Sequence, residues 1–219
     1  MTTQSLVLPV SSEIGNVSAE YIMPEPCSCI IVLAHGAGAG MNHSFMVSLS
    51  NALAEKGIAT LRFNFPFMEK KKPRPDTPAV AHQAIAAAVS KAQQLFPSLP
   101  LFVAGKSFGG RMSSQYLAEH ATAAVKGIIF YGFPLHPADK PSIDRAEHLK
   151  LVKQPMLFLQ GTKDTLAIWN LIEPVCNSLK RATLVKIDGA DHSFKAGKKD
   201  IMSLLVTATQ DWIKKKLTK

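Results

Sequence analysis

The sequence contains little cysteine. The 219-residue chain has three cysteines, too few for the disulfide framework of a small secreted protein. Cys27 and Cys29 lie two residues apart, and residues at that spacing on one strand rarely form a disulfide. No second cysteine pair or histidine pair completes a zinc site. We therefore expect free thiols, a reducing compartment and no metal.

The chain also lacks the segments that direct a protein to or across a membrane. No apolar run approaches the ~18–20 residues that span a bilayer. Residues 1–5 show neither the basic region nor the apolar region of a signal peptide. We expect a cytoplasmic protein without a membrane partner. Hydrophobic residues make up 47% of the chain, which predicts a sizeable core, and the length fits a single domain over residues 1–219.

Acidic residues are fewer than basic ones. The 25 Lys and Arg exceed the 16 Asp and Glu, which leaves a net charge of +9. Two lysine clusters, at residues 70–72 and 214–216, are not interleaved with aromatic residues, and no nucleic-acid-binding motif is visible. The second cluster fits cations at the C-terminus of a helix. We expect no nucleic-acid partner, although a basic nucleic-acid-associated protein stays an alternative, and the oligomeric state is not predicted.

Strand-like apolar segments alternate with helix-like segments along the chain. The predicted strands cover residues 5–10, 17–22, 28–34, 58–65, 101–104, 126–131, 156–160 and 183–187. The predicted helices cover residues 42–56, with Asn42 as N-cap, and residues 79–95, 111–120, 167–180 and 199–216. Residues 66–78 are predicted as a loop. This alternation predicts an α/β fold with a mostly parallel sheet and helices on both faces.

One motif combines a strand, a sharp turn and a helix. Residues 105–109 have the sequence Gly-Lys-Ser-Phe-Gly and follow a predicted strand. In that context the pattern is typical of a nucleophile elbow, whose crowded turn needs glycine on either side. The turn lifts the serine hydroxyl above the sheet and directs the helix N-terminus at it, where negative charge would develop. The motif predicts that Ser107 is the nucleophile of a hydrolase or acyl transferase.

A nucleophilic serine requires a base, and the base requires an orienting acid. Asp164 follows one predicted strand and His192 follows the last, so the chain order is serine, aspartate, histidine. We predict that His192 accepts the Ser107 proton and that Asp164 holds the other ring nitrogen. Three alternatives stay open. The first is that His192 is a surface loop residue, the second is that Asp164 is a helix N-cap, and the third is that the acid is Asp139 or Asp144.

A glycine-rich loop follows the third predicted strand, where residues 35–40 have the sequence His-Gly-Ala-Gly-Ala-Gly. We predict that the backbone N–H groups of Phe108 and Ala37 form the oxyanion hole, and that Gly36 lets the loop turn inwards, with Gly38 behind it. The glycine spacing matches neither common phosphate-binding motif. We therefore expect no nucleotide or other cofactor.

Some features bear on the substrate. Lys106 and Arg111 flank the nucleophile and are candidates to bind an anionic group, although each also has a structural interpretation. His35, at the start of the glycine-rich loop, is a third candidate substrate-binding residue. About twenty residues separate the strand ending near Phe133 from the strand starting near Met156. That length leaves no room for a helical lid, so we expect a shallow, open site.

The chain resembles the dienelactone-hydrolase-like group of the α/β-hydrolase superfamily, from about residue 5 to residue 215. The matching motifs are His-Gly-Ala-Gly at 35–38, Gly-Lys-Ser-Phe-Gly-Gly at 105–110, Gly-Thr-Lys-Asp at 161–164 and Asp-His at 191–192. It is most similar to the KANL/Tex-type branch, where an Ala-His-Gly-Ala-Gly loop and a Gly-Lys-Ser-Phe-Gly-Gly-Arg elbow occur together. Dienelactone hydrolase itself uses a cysteine nucleophile, whereas this chain has Ser107.

The resemblance implies an α/β-hydrolase fold without a lid domain. Together with the motifs it leads us to expect a serine hydrolase that acts on small or exposed carboxylic esters or thioesters through an acyl-Ser107 intermediate. Because a cysteine is replaced by serine, hydrolysis of a dienelactone is not implied. The alternative is a non-catalytic protein that uses the α/β-hydrolase fold as an interaction module.

Overall fold

The computed structural model of the protein describes residues 1–120 and 122–218. The strands are β1 (Thr2–Ser11), β2 (Gly15–Met23), β3 (Cys29–Ala34), β4 (Ile58–Phe63), β5 (Leu101–Lys106), β6 (Val125–Tyr131), β7 (Met156–Gly161) and β8 (Ala182–Ile187). The α-helices are α1 (Ser44–Ala54), α2 (Pro66–Glu69), α3 (Pro78–Leu95), α4 (Phe108–Glu119), α5 (Trp169–Ser178) and α6 (Ile201–Leu217), and a 3₁₀ segment covers Asp144–Leu151.

The eight strands form one sheet in the order β1-β2-β4-β3-β5-β6-β7-β8. β2 is antiparallel to both β1 and β4, and the six strands β3 to β8 are parallel to one another. The prediction of a mostly parallel α/β sheet is confirmed. The carboxyl ends of parallel strands meet at one edge of the sheet, where ligands bind in folds of this kind. The loops after β3, β5, β7 and β8 all lie at that edge.

Helices cover both faces of the sheet, as predicted. On one face α1 and α6 pack through buried residues such as Leu49 and Leu205. On the other face α3, α4 and α5 pack through residues such as Ala84, Met112 and Ile172. This double cover explains why every residue of β3 is buried, because a strand between two helical layers needs apolar side chains on both sides.

All five predicted helices differ in their bounds from the prediction, and two of these differences lie next to the candidate site. α4 begins at Phe108, directly after Ser107, instead of at Arg111. The prediction was late because two glycines at its start have low helix propensity. α1 begins at Ser44, and its N-cap is His43, whose side chain accepts the Phe45 N–H, so the assignment of Asn42 as N-cap was wrong. Residues 41–43 form a turn before the helix, which moves the cap one residue along.

The segment predicted as a loop over residues 66–78 contains the one-turn helix α2. Pro66 occupies its first turn, where a missing N–H costs nothing. Between β6 and β7, residues 132–155 hold only the 3₁₀ segment Asp144–Leu151, which packs on α4. The prediction that no lid covers the site is therefore confirmed.

The three cysteines are free in the described part of the chain, as predicted. Burial raises the pKa of the Cys29 and Cys176 thiols to about 12, so neither forms a reactive thiolate near neutral pH. Within residues 1–120 and 122–218, no helix has the length and apolar character needed to cross a membrane. The cytoplasmic location and the absence of a nucleic-acid partner stay predictions.

Candidate active site

Ser107 occupies the turn between β5 and α4 with φ +50° and ψ −116°. A positive φ is unfavourable for a residue with a side chain, and such strain persists only where the surroundings hold it. The Ser107 N–H donates to the Tyr131 carbonyl at 3.3 Å, and the Arg111 N–H donates to the Ser107 carbonyl at 3.1 Å. These bonds hold the serine hydroxyl at the N-terminus of α4.

The glycines on either side of Ser107 allow a close backbone approach. A Cβ at position 105 would lie 2.1 Å from the Gly110 nitrogen, and one at position 109 would lie 2.5 Å from the His35 carbonyl oxygen. Neither neighbour is a flexible side chain end, so any larger residue would displace backbone. The elbow therefore requires glycine at both positions for steric reasons, as the motif predicted.

The structure brings Ser107, His192 and Asp164 together in one hydrogen-bonded chain. Ser107 Oγ lies 2.8 Å from His192 Nε2, and His192 Nδ1 lies 2.7 Å from Asp164 Oδ2. Because a carboxylate only accepts hydrogen bonds, Nδ1 carries the proton and Nε2 is left to accept from the serine hydroxyl. This is the geometry by which a histidine base activates a serine.

Asp164 is the acid partner in this chain, and its side chain is 1% exposed. The alternative that it caps a helix is excluded, because α5 begins at Trp169 with Ile168 as its N-cap. The other carboxylate oxygen, Oδ1, accepts the Leu166 N–H at 2.8 Å. Since this carboxylate already pairs with the histidine, Asp139 and Asp144 are not needed as displaced acids.

Gln160, in β7, supports this aspartate and was missed from the sequence. Its Nε2 donates to Asp164 Oδ2 at 2.6 Å, and its Oε1 accepts the Phe133 N–H at 2.9 Å. The residue is fully buried. A sequence signal for it existed, because Gln160 is the one polar residue in the strand Met-Leu-Phe-Leu-Gln-Gly and a buried amide needs partners.

The loop after β8 presents His192. Asp191 Oδ1 accepts the N–H groups of Ser193 and Lys195, at 2.9 and 2.8 Å. Phe194 has φ +61°, and its ring stacks on that of Phe45 with centroids 5.9 Å apart. The loop is therefore tied by its own backbone and by an aromatic contact to α1.

Lys106 bridges the elbow and this histidine loop. Its Nζ donates to the His192 carbonyl oxygen at 2.6 Å and lies 5.2 Å from the centre of the Phe194 ring. Burial lowers the pKa of Lys106 to about 8, against the opposing attraction of Asp164 and Asp191. The side chain lines the cavity beside Ser107, but its hydrogen bond goes to the protein.

The glycine-rich loop lies against the nucleophile from the other side. A Cβ at Gly36 would be 3.7 Å from Ser107 Cβ. The far end of the loop is fixed because the Met41 N–H donates to Asn64 Oδ1 and Arg62 Nη1 donates to the Met41 carbonyl, each at 2.9 Å. Phe108 is the first residue of α4, so its N–H has no carbonyl partner within the helix.

His35 and Arg111 do not contact the cavity, and their prediction as substrate-binding residues was wrong. His35 is fully buried; its Nδ1 donates to the Gly36 carbonyl at 2.7 Å and its Nε2 accepts the Phe65 N–H at 2.9 Å. Arg111 lies on the side of α4 that faces the 3₁₀ segment, where burial and the nearby charge of Arg145 lower its pKa. Both nitrogens of the His35 ring are occupied, and neither His35 nor Arg111 is among the residues that line the cavity beside Ser107.

A cavity of about 350 Å³ opens beside Ser107. Its apolar wall comes from the side chains of Ala37, Phe45, Met46 and Leu166. Ser107, His192 and Lys106 line it as well. In the described part of the chain, no group of three or more His, Cys, Asp or Glu side chains comes close enough to form a metal site.

A serine at a strained strand-to-helix turn, in a sheet of this strand order, defines the α/β-hydrolase fold. The chain belongs to the corresponding family, because the family model described as "Alpha/beta hydrolase domain" matches residues 28–214. The narrower assignment to the KANL/Tex-type branch stays a prediction.

Solved structures share the fold across almost the whole chain. Dienelactone hydrolase from Anabaena variabilis is 20% identical, with a TM-score of 0.77 and 97% of each chain covered. An α/β serine hydrolase homologue from Coxiella burnetii is 22% identical, with a TM-score of 0.77 and coverage of 94% of this chain and 97% of that one. An α/β serine hydrolase without a lid from Xanthomonas campestris is 21% identical, with a TM-score of 0.74 and coverage of 97% and 95%.

Proposed function

We propose that this protein is a serine hydrolase that cleaves small or exposed carboxylic esters or thioesters through an acyl-Ser107 intermediate. The observation that carries the proposal is the hydrogen-bonded chain from Ser107 Oγ through His192 to the buried Asp164, beside an open cavity. Membership of the α/β hydrolase family supports hydrolysis as the class of reaction.

In the proposed acylation step, His192 Nε2 removes the hydroxyl proton as Ser107 Oγ attacks the carbonyl carbon of the substrate. The carbonyl π bond breaks and leaves a tetrahedral oxyanion. The N–H groups of Phe108 and Ala37 would stabilise this charge, helped by the N-terminus of α4. Collapse of the intermediate re-forms the carbonyl and breaks the bond to the leaving oxygen or sulfur, which departs as the alcohol or thiol with the proton that His192 took from Ser107; until then Asp164 stabilises the imidazolium.

Water completes the proposed cycle. His192, neutral again, removes a proton from a water molecule as the water oxygen attacks the acyl-Ser107 carbonyl. The second tetrahedral intermediate forms in the same oxyanion hole. Its collapse releases a carboxylic acid and returns the proton to Ser107 Oγ, so the free enzyme is restored and the net reaction consumes one water.

The cavity supports a small or exposed acyl group as the substrate. About 350 Å³ lies at the lower end of the usual range for ligand pockets. Phe45, Met46 and Leu166 offer an apolar surface to a short acyl chain. Residues 132–155 hold no helical lid that would shield a long chain from water. We therefore propose short-chain esters or thioesters rather than long-chain lipids.

The rival function is a non-catalytic interaction module. The intact hydrogen-bonded chain of Ser107, His192 and Asp164 argues against it, because an interaction module has no need of an aligned base and acid beside a serine. Reaction of Ser107 with a fluorophosphonate probe separates the two. Specific labelling of Ser107 in folded protein supports the hydrolase, and its absence favours the module.

Turnover of p-nitrophenyl butyrate and of a short acyl thioester tests the proposal. We expect Ser107→Ala to lower kcat by at least about 10⁴-fold without changing the circular dichroism spectrum. Ser203→Ala, which removes an exposed hydroxyl on α6, is the control and should leave kcat unchanged. Equal turnover by Ser107→Ala and wild type would overturn the assignment.

A further inference from the structure

We propose that Lys106 is a positioning residue that holds His192 over Ser107. The inference rests on the proposed function, because it assigns a role within the serine hydrolase mechanism. It replaces the prediction that Lys106 binds an anionic substrate group.

The first support is the contact that Lys106 makes. Its ammonium donates to the backbone carbonyl of His192 at 2.6 Å, so the residue before the nucleophile holds the residue that serves as base. On the ring side, Asp164 Oδ2 fixes Nδ1 at 2.7 Å. His192 is thus fixed through its backbone from β5 and through its ring from the loop after β7. Both contacts are needed to define where Nε2 lies relative to Ser107 Oγ.

The second support is the enclosure of the ammonium. A Cβ at Gly132 would lie 3.3 Å from Lys106 Nζ and 3.6 Å from two atoms of the His192 ring. Gly132, with φ +73°, therefore forms one wall of the space that holds both groups. The Phe194 ring forms another wall, at a distance suited to a cation–π contact. The Lys106 ammonium therefore lies between Gly132 and the Phe194 ring, within hydrogen-bonding distance of the His192 carbonyl.

The third support is that a lysine is an unfavourable choice for packing alone. Burial disfavours its charged form and lowers the pKa of Lys106 to about 8, even though Asp164 and Asp191 attract the charge. His192 is the other titratable group that faces it. An apolar side chain of similar length would avoid this penalty, since replacing buried charges by well-packed apolar groups is often neutral or stabilising. A lysine at this position is therefore better explained by a role in activity than by packing, since activity and stability often conflict at active sites.

Loss of the contact would affect the chemical step more than substrate binding. Without it, residues 191–194 are held by hydrogen bonds within the loop, by the contact of the His192 ring with Asp164 and by the Phe194–Phe45 stack. A displacement of about 1 Å in a catalytic group costs up to roughly 10²-fold in rate. The cavity wall formed by Phe45, Met46 and Leu166 does not depend on Lys106, so KM should change little.

The test compares Lys106→Met with Lys198→Met, which removes an exposed lysine six residues beyond His192. We expect Lys106→Met to lower kcat for p-nitrophenyl butyrate about 10- to 100-fold with KM within about threefold. Its midpoint of thermal unfolding should equal that of wild type or exceed it by roughly 2–4 °C. Amide hydrogen exchange in residues 189–196 should become faster. Lys198→Met should match wild type in all four measurements.

Contrary outcomes have distinct meanings. A raised KM with unchanged kcat would show that Lys106 contacts the substrate, and a midpoint lowered by 5 °C or more (roughly the effect of losing a core contact) would show a structural role. Unchanged kcat and exchange would show no role; each of these overturns the proposal. If fluorophosphonate does not label Ser107 in wild type, the proposed function fails instead. The exchange of residues 189–196 then still decides whether Lys106 holds the histidine loop.

Discussion

Gln160 donates its side-chain amide to Oδ2 of Asp164 at 2.6 Å, the same oxygen that accepts from His192. Two donors therefore converge on one oxygen of a buried carboxylate. The other end of the Gln160 amide accepts the Phe133 N–H, so the amide cannot rotate without losing a bond. The orientation of the acid is thus set by β7 itself, and the acid in turn orients the base.

We expect Gln160→Leu to lower both activity and stability. The substitution leaves the Phe133 N–H without its acceptor, which should lower the free energy of unfolding by about 1–3 kcal/mol. Removal of a donor from Asp164 Oδ2 should also lower kcat about tenfold. Urea unfolding and p-nitrophenyl butyrate turnover measure the two effects.

Gln154→Leu is the matched control for this variant. Gln154, two residues before β7, is also buried. Its Nε2 donates to the Thr122 carbonyl, outside the active site. This variant should also lower the free energy of unfolding, because the Thr122 carbonyl loses its donor, and it should keep the kcat of wild type. An equal loss of kcat in both variants would show that the effect of Gln160 is general destabilisation.

Asp164→Asn should nearly abolish turnover while the fold persists. An amide in place of the carboxylate can donate to His192 Nδ1, which favours the tautomer in which Nε2 carries the proton and cannot accept from Ser107. The expected loss in kcat is about 10³–10⁴-fold. Asp188→Asn, at an exposed carboxylate four residues before His192, is the control. A loss of less than tenfold in Asp164→Asn would remove Asp164 as the acid.

One added methyl group at Gly109 should destabilise the elbow. A Cβ at Gly109 would lie 2.5 Å from the His35 carbonyl oxygen and 2.6 Å from that of Ala34, so backbone must move. We expect Gly109→Ala to lower the free energy of unfolding by about 3 kcal/mol. Gly38→Ala meets no atom within 4 Å and should stay within about 0.5 kcal/mol of wild type. Equal stability of the two variants in urea would contradict the steric account.

Stability should fall in acid because His35 is buried in its neutral form. Burial lowers the pKa of His35 from 6.5 to about 4. Between those values the unfolded chain binds a proton that the folded chain does not, so the contribution is present above pH 6.5 and lost as the pH falls towards 4. The free energy of unfolding should drop by roughly 3 kcal/mol over this range from His35 alone.

Urea unfolding at pH 7 and pH 4.5 measures this effect in wild type, His35→Gln and His120→Gln. His148 shows a similarly lowered pKa of about 4 and adds to the slope in all three proteins. His35→Gln should therefore show a smaller difference between the two pH values than wild type. His120→Gln, at an exposed histidine, should show the wild-type difference. If the free energy of unfolding of His35→Gln changed between the two pH values as much as that of wild type, His35 would not be the source of the acid sensitivity.

The arrangement of the site follows from rules that act on sequence order. Alternating strands and helices predict a parallel sheet, and a parallel sheet brings the loops after β5, β7 and β8 to one edge. Ser107, Asp164 and His192 follow those strands, so their proximity could be expected from the sequence. The steric need for glycine at 105 is equally local, because a Cβ there would meet Gly110 in the same turn, whereas the need at 109 comes from the carbonyls of Ala34 and His35 at the end of β3.

Other parts of the site depend on contacts that sequence order does not reveal. The position of His35 beside three glycines indicates a cavity, but its Nε2 accepts the N–H of Phe65, thirty residues away, and the Phe65 ring packs against it. Lys106 is adjacent to the nucleophile, yet its direction is set by a loop 86 residues later. The short helix α2 was missed because it lies in a proline-rich segment, residues 66–78, of a composition typical of loops.

Among the described strands β8 is an edge strand that pairs with β7 alone, and five of its six residues are not fully buried. The loop it carries holds His192, whereas Ser107 follows β5 in the middle of the sheet. Edge strands open at lower free energy than central ones. On heating, the base should therefore detach from an intact nucleophile before the core melts, so that inactivation precedes unfolding and is reversed on cooling from that intermediate temperature.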